Sequence, residues 1–298
     1  MNEKVIITGA TGFVGSNLSR ELINKNFDVY IIVRENSGFN NISDFIDKVK
    51  LYKYNGKVED LIIFFKEVRP IGVFHLASNF IAEHNYNQVD SLIDSNILFG
   101  VHLLEAMKES GVKKIINTGT SWQHYNNEDY NPVCLYAATK QAFEALLEYY
   151  VHAEGFKVIT LKLYDTYGEN DSRPKLINLL NQFADDNTEL NMSPGNQLLN
   201  LVHVSDVCKA FFVAWELIKS NDKYEHKCYT VSSEKEYNLK ELIKLFETSI
   251  GKSIKVNWGG KSYRKREVMN LWNSGEKLPN WSAQITLEEG LKRYCKKE

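Results

Sequence analysis

The sequence predicts an α/β protein: a doubly wound parallel sheet with a smaller C-terminal α/β domain. Three observations predict it. Short, unbroken apolar runs alternate with amphipathic helical runs through the first half. A glycine-rich turn joins the first run to the first helix. The alternation then breaks after Gly168 into a polar, Asn-rich stretch. Strands buried on both faces read as continuous apolar runs, as a parallel sheet covered by helices requires.

Taken in order, Val5-Ile6-Ile7 is followed by a helical run with Val14, Leu18 and Leu22 at fourfold spacing. Val29 to Val33, Leu51 to Tyr54 and Val73 to Leu76 are the next strands. A helix carrying Leu98, Leu103, Leu104 and Met107 leads to Lys114–Asn117, and one with Phe143, Leu146, Leu147, Tyr150 and Val151 on one side leads to Val158–Leu161. This is the Rossmann arrangement. Beyond it, Leu176, Leu179, Leu180 and Phe183 mark a helix, as do Leu239 to Ile250 and Thr286 to Tyr294, around a basic segment from Lys261 to Arg266. The domains read as 1–165 for the Rossmann part, with 198–231 returning to it, and 166–197 plus 232–298 for the smaller part, closing over a cleft.

At 298 residues, 43% apolar and 25% charged, the chain has ample core, and its formal net charge of −2 gives no reason to expect nucleic acid or an anionic membrane. Cys134, Cys208, Cys228 and Cys295 lie far apart without a CxxC pair, so reduced thiols are expected, and no His, Asp or Glu spacing suggests a metal. The apolar runs all fall short of the roughly 20 residues of a membrane span. The first strand starts at Lys4, leaving no room for a signal peptide, so a cytoplasmic protein is expected.

Gly9, Thr11, Gly12, Phe13, Val14 and Gly15 form a GxxGxxG turn between strand and helix. Glycines let the backbone approach a pyrophosphate, whose charge meets the helix N-terminus, so a dinucleotide is expected. The second strand ends at Arg34, where NAD-binding folds place an acid for the ribose 2′-hydroxyl. A guanidinium there suits a 2′-phosphate and favours NADP(H). Glu35 follows and would serve as an acceptor, leaving NAD(H) as the alternative.

Tyr136 and Lys140 stand one helical turn apart on one face. With 16 tyrosines, about one such spacing arises by chance, so position decides. The pair opens the helix after the fifth strand, where the fold presents its ligand crevice. A nearby ammonium and the nicotinamide charge favour the phenolate, allowing Tyr136 to pass a proton while hydride moves at carbon. Lys140 would also hold the nicotinamide ribose. A hydroxyl from Thr118–Ser121 would bond the same substrate oxygen, or serve as a helix cap.

Together these elements resemble the extended short-chain dehydrogenase/reductase family, over nearly the whole chain, and within it the bacterial nucleotide-diphosphohexose 4-ketoreductases of the CDP-abequose synthase kind. The resemblance rests on the segments His75–Ser78, Thr118–Tyr125, Leu135–Phe143, Leu161–Gly168, Leu201–Val207 and Leu278–Leu291. It implies Thr120 beside Tyr136 and Lys140 as catalytic. It implies Val58, Leu76, Ala77, Ser78 and Asn96 at the cofactor. Ser121, Asp165 and Arg173 are implied at the sugar nucleotide, with Arg264 and Arg266 at its diphosphate; Trp122 and His124, which follow the threonine, either line the sugar pocket or belong to a plain loop. Helices around Ser91–Glu109 and Tyr136–Ala153 resemble the family's homodimer bundle, although their apolar stripes equally fit burial against the sheet.

The chain departs from the family at four points. Lys57 stands for an Asp near adenine, Leu199 for an Arg before the His-Val segment, and Asp165 for an Asn near the sugar. The region after Thr120 lacks the acids that dehydratases use. The implied activity is NADPH-dependent reduction of the C4 ketone of a nucleotide-diphospho-deoxyhexose. A nucleotide-sugar 4-epimerase with tightly held NAD(P) uses the same residues and is the alternative. A non-catalytic dinucleotide sensor is the remote third, since such proteins commonly lose the Tyr–Lys pair.

Overall fold

A computed structural model describes residues 2–186, 188–221 and 223–295, excluding the Cys295 side chain. The first half runs β1 (Lys4–Thr8), α1 (Phe13–Asn24), β2 (Asp28–Arg34), β3 (Lys50–Tyr54), α2 (Val58–Val68) and β4 (Gly72–His75). It continues through α3 (Val89–Ile93), a π-helical turn (Asp94–Leu98), α4 (Phe99–Ser110), β5 (Lys114–Thr120), α5 (Leu135–Glu154) and β6 (Lys157–Leu163). The second half holds β7 (Asp165–Tyr167), α6 (Leu176–Asp186), β8 (Leu190–Met192), β9 (Leu198–Leu199), β10 (Leu201–His203) and α7 (Val204–Ser220). It ends with β11 (His226–Val231), β12 (Tyr237–Asn238), α8 (Leu239–Ile250), β13 (Val256–Trp258) and α9 (Leu287–Cys295).

Seven strands form one parallel sheet in the order β11-β6-β5-β4-β1-β2-β3. The order reverses between β1 and β4, which opens a crevice beyond their carboxyl ends. Alternate residues of one strand serve opposite faces. Val5 and Ile7 join α1 and α7 in one core, while Ile6 joins α2, α4 and α5 in the other. The sheet is therefore a Rossmann sheet, buried on both sides, as the unbroken apolar runs predict.

Two elements go beyond the sequence reading. Within the segment Leu201–Val207, β10 ends at His203 and the following 17 residues form α7. Val204, Val207, Phe211 and Trp215 recur there at helical spacing and pack against α1 and the sheet. The helix through Leu98 is interrupted by the π-turn, which holds Asn96.

A third core lies in the C-terminal part, where α6, α8 and α9 gather Ile177, Leu180, Leu242, Phe246 and Leu291. Three two-stranded pairs, β7–β10, β8–β13 and β9–β12, accompany it. Asp206, fully buried, fastens this part to α7 by accepting hydrogen bonds from Gln284 N (2.8 Å) and Ile285 N (2.7 Å). Among the described residues no helix is long and apolar enough to cross a membrane.

Candidate active site

The crevice at the switch point holds two chambers that share Gly9, Gly12, Leu76 and Ser78. The first, about 430 Å³, runs from the glycine turn past Arg34 and Ser37 to Tyr54 and Phe99. The second, about 270 Å³, runs from Phe13, Val14 and Gly15 to Thr120, Tyr136 and Lys140. Pockets of a few hundred cubic ångström suit extended small ligands.

Local sequence explains the first chamber. Gly9 adopts φ +72°, and a Cβ there would lie 2.6 Å from backbone atoms of Leu76 and Ala77. The two loops touch through that missing side chain. The hydroxyl of Thr8 accepts from Ala77 N at 3.1 Å and bonds His75 Nδ1 at 2.8 Å, which fixes the β4 loop against the turn. Gly12 caps α1 with no side-chain bond, and no acid occupies the first turn. The positive end of the helix is left to face an anion. Thr11 lines the same chamber, and the exposed Arg34 closes its far side. These features fit a dinucleotide.

Thr120, at the end of β5, and Tyr136 and Lys140, on α5, converge on the second chamber. Thr120 Oγ1 accepts from Trp122 N at 3.3 Å as the cap of the turn Ser121–Gln123. The helix-cap expectation is met in this hydroxyl, and a capping acceptor keeps its own O–H free to donate. Tyr136 is half-buried and Lys140 fully so. Burial pushes the Tyr136 phenol up, with Cys134 adding to the rise and a Ser78 hydrogen bond opposing it. Burial lowers Lys140 to about 8, against the attraction of Glu144. Without a cofactor the phenol is thus held protonated. Burial, with Lys140 nearby, depresses His75 to about 3, so its ring stays neutral.

Ser121, Trp122, Asp165 and Arg173 line the second chamber. Arg173 is paired with Asp171 at 2.7 Å and lies 4.5 Å over the Phe13 ring. Other expected residues stand elsewhere. His124 is buried away from the cleft, stacked on Trp272 at 3.8 Å and bonded to Lys162 Nζ at 2.7 Å. Arg264 is half-buried beside the second chamber, 5.0 Å over the Trp122 ring and paired with Glu267 at 2.7 Å. Arg266 turns away to the loop after β5, bonding Asn131 and lying 4.3 Å over Tyr125. Val58 opens α2 outside the first chamber, where Tyr54 stands instead.

Asn96 is behind the wall. Its Oδ1 accepts from Ser78 Oγ (3.3 Å) and Asn79 N (2.7 Å), and its Nδ2 donates to Thr139 Oγ1 at 2.9 Å. It ties the loop that bears Ser78 to α5. Sequence reasoning passed over Phe80 and Lys175. Phe80 meets the Tyr136 ring edge-on at 4.9 Å and Trp122 at 5.6 Å, and the Lys175 ammonium lies 4.0 Å over it. Phe80 follows Ser78 by two residues, which is the one hint in the sequence; Lys175 has none.

Sheet order, glycine turn and Tyr–Lys pair define an NAD(P)-dependent enzyme of the extended short-chain dehydrogenase/reductase class. Residues 5–228 match the family described as the NAD dependent epimerase/dehydratase family, and the chain belongs to it. It is 29% identical to a CDP-abequose synthase of Yersinia pseudotuberculosis, over 93% of this chain and 97% of that one. A putative UDP-glucose 4-epimerase of Methanocaldococcus jannaschii is 25% identical, with 97% and 96% covered. In three dimensions the chain resembles the UDP-glucose 4-epimerase of Thermotoga maritima with UDP-glucose, at a TM-score of 0.85 and 22% identity, covering 98% of this chain and 97% of that one.

Proposed function

We propose that the protein reduces the C4 ketone of a nucleotide-diphospho-deoxyhexose with NADPH, as a CDP-abequose synthase-like 4-ketoreductase. The observation that carries this reading is the convergence of Thr120, Tyr136 and Lys140 at the inner end of the glycine-turn crevice. The similarity to CDP-abequose synthase supports the substrate class.

A nicotinamide held in that crevice would supply the hydride. Tyr136 donates its proton to the oxygen of the carbonyl under attack, and the Thr120 hydroxyl donates a hydrogen bond to the same oxygen. Lys140 stabilises the phenolate left behind and holds the ribose. Gly9, Thr11, Gly12, Phe13, Val14, Gly15, Leu76, Ala77 and Ser78 receive the cofactor, and Arg34 its 2′-phosphate. Ser121, Trp122, Asp165 and Arg173 receive the sugar nucleotide, with residues 166–197 and 232–298 as its domain. Lys175 takes the place foreseen for Arg264 and Arg266 as a cation inside the cleft.

The test is NADPH oxidation with 4-keto-6-deoxy and 4-keto-3,6-dideoxy sugars carrying CDP, dTDP or GDP. Stoichiometric oxidation with at least one is expected, and loss of about 100-fold or more in kcat for Tyr136→Phe. The second reading, a nucleotide-sugar 4-epimerase, is favoured by the likeness to the Methanocaldococcus and Thermotoga proteins. Interconversion of two sugars without net NADPH consumption would establish it instead.

A further inference from the structure

Behind the Tyr–Lys helix lies a buried group of polar side chains with no place in the reaction as written. Glu144 sits one turn after Lys140 on the same face of α5, and both are buried. Glu144 Oε1 accepts from Gln123 Nε2 at 2.9 Å, and Gln123 Oε1 in turn accepts from Thr120 N at 2.9 Å. A carboxylate and an amide thus bridge the helix of Tyr136 and Lys140 to the backbone of Thr120. Gly119 leaves room for both: a Cβ there would lie 2.9 Å from Glu144 Oε1 and 3.0 Å from Gln123 Oε1.

We propose that Glu144 and Gln123 are positioning residues that hold Thr120 and Lys140 in one frame for proton transfer to the substrate oxygen. Other groups complete the surroundings. On α5, Gln141 Oε1 accepts from Gln123 at 2.7 Å, and Glu148 pairs with His226 at 2.8 Å. From β6, Lys162 pairs with the other oxygen of Glu144 at 3.2 Å and donates to His124 Nε2; Thr160 bonds His226. From β11, Cys228 Sγ lies 4.0 Å from Glu144. His124 is neutral in this geometry, its Nδ1 donating to Glu128 O at 3.0 Å while Nε2 accepts from Lys162.

Energetics favour a role beyond holding the fold. A buried ion pair contributes little net stability compared with apolar side chains of similar size, but it fixes geometry and charge. Two consequences separate. The bridge orients Thr120, and the carboxylate of Glu144, one turn after Lys140 on the same buried face, favours the charged ammonium against its burial.

The proposal rests on the ketoreductase reading for its kinetic arm only. Gln123→Leu breaks the bridge and leaves every charge in place. It is expected to lower kcat about 10–100-fold while KM and NADPH affinity stay within twofold of wild type. An unchanged kcat, or a fall in cofactor affinity and melting temperature together with kcat, overturns the proposal. Glu144→Gln keeps an acceptor for Gln123 and removes the charge. The alkaline limb of the kcat/KM profile is then expected at lower pH, and restored by Glu144→Asp; an unmoved limb counts against it. Acetic anhydride labelling of Lys140 across pH, read by mass spectrometry, needs no sugar. Its midpoint is expected at lower pH in Glu144→Gln than in wild type, and equal midpoints overturn the charge role. A shifted midpoint in a protein silent on every 4-keto sugar sinks the substrate reading alone. Should Glu144→Gln not fold, the uncharged Gln123→Leu variant still decides.

Discussion

Lys140 carries a charge into a site where burial opposes it and draws its pKa down to about 8. The folded chain binds this proton less tightly than the unfolded chain does. Stability linked to Lys140 therefore rises as pH climbs from about 8 towards the ordinary lysine value, and the penalty is fully present at neutral pH. Lys140→Met is expected to stabilise the cofactor-free protein at pH 7 by about 1–3 kcal/mol while abolishing turnover. Thermal melts of the two proteins decide it, and a lower melting temperature for Lys140→Met would contradict the argument. At this scale the sequence reveals the side chains whose spacing is itself a signal. Tyr136 and Lys140 share a helix face, and the glycine turn has its own pattern. Lys175, Phe80 and Arg266 sit on irregular backbone, where no periodicity says which way a side chain points. The expectation for Arg266 failed on that ground: the chain after β13 turns it onto Tyr125, away from the cleft.

The π-turn Asp94–Leu98 is the element that shows how the site is braced from behind. A π-turn adds a residue to the helix without ending it, and such turns recur at functional sites. Asn96 lies within it, and its amide spans the gap between the Ser78 loop and α5 with four hydrogen bonds. Asn96→Ala removes the bridge, leaves Asn79 N without its partner and leaves Thr139 Oγ1 only its bond to Tyr136 O. It is expected to cost about 1–3 kcal/mol in stability. It should also weaken cofactor binding, because Ser78 lines both chambers. Calorimetric unfolding and NADPH titration test both, and unchanged cofactor affinity would confine Asn96 to a structural role. The sequence shows the helix through Leu98, Leu103 and Met107 but not the π-turn, since one extra residue barely disturbs an apolar stripe. Helix α7 is legible by its spacing, Val204, Val207, Phe211 and Trp215, but its first residue abuts the apolar run of β10, so its start is masked. The inner strands β1, β2 and β4 are legible because burial on both faces leaves them unbroken apolar runs, whereas β3 and β11 at the sheet edges keep polar residues.

Across the whole molecule, four histidines share one condition. His75, His124, His203 and His226 are each lowered from the ordinary imidazole value, with burial the first cause in every case. They tie separate regions together. His75 bonds Thr8 at the glycine turn, His124 bonds Lys162 behind the cleft, His203 pairs with Glu169 below α7, and His226 pairs with Glu148 at the sheet edge. Below about pH 6.5 the unfolded chain takes up protons that the folded chain refuses. The unfolded state then binds more protons, so stability falls as pH falls, by up to about 1.4 kcal/mol per pH unit for each histidine. For His75 the fall continues to about pH 3. Protonation of His124 also sets a second cation against Lys162, so the brace behind Thr120 is weakened by the same event. Urea unfolding at pH 7.5 and 5.5 is expected to differ, with the acid sample the weaker, by at least the share of His75, about 1.4 kcal/mol. His75→Gln should reduce that difference by roughly one histidine's share, about 1 kcal/mol. A free energy of unfolding that stays level between the two pH values would mean that these rings are charged or exposed in solution, and the buried neutral network would have to be given up.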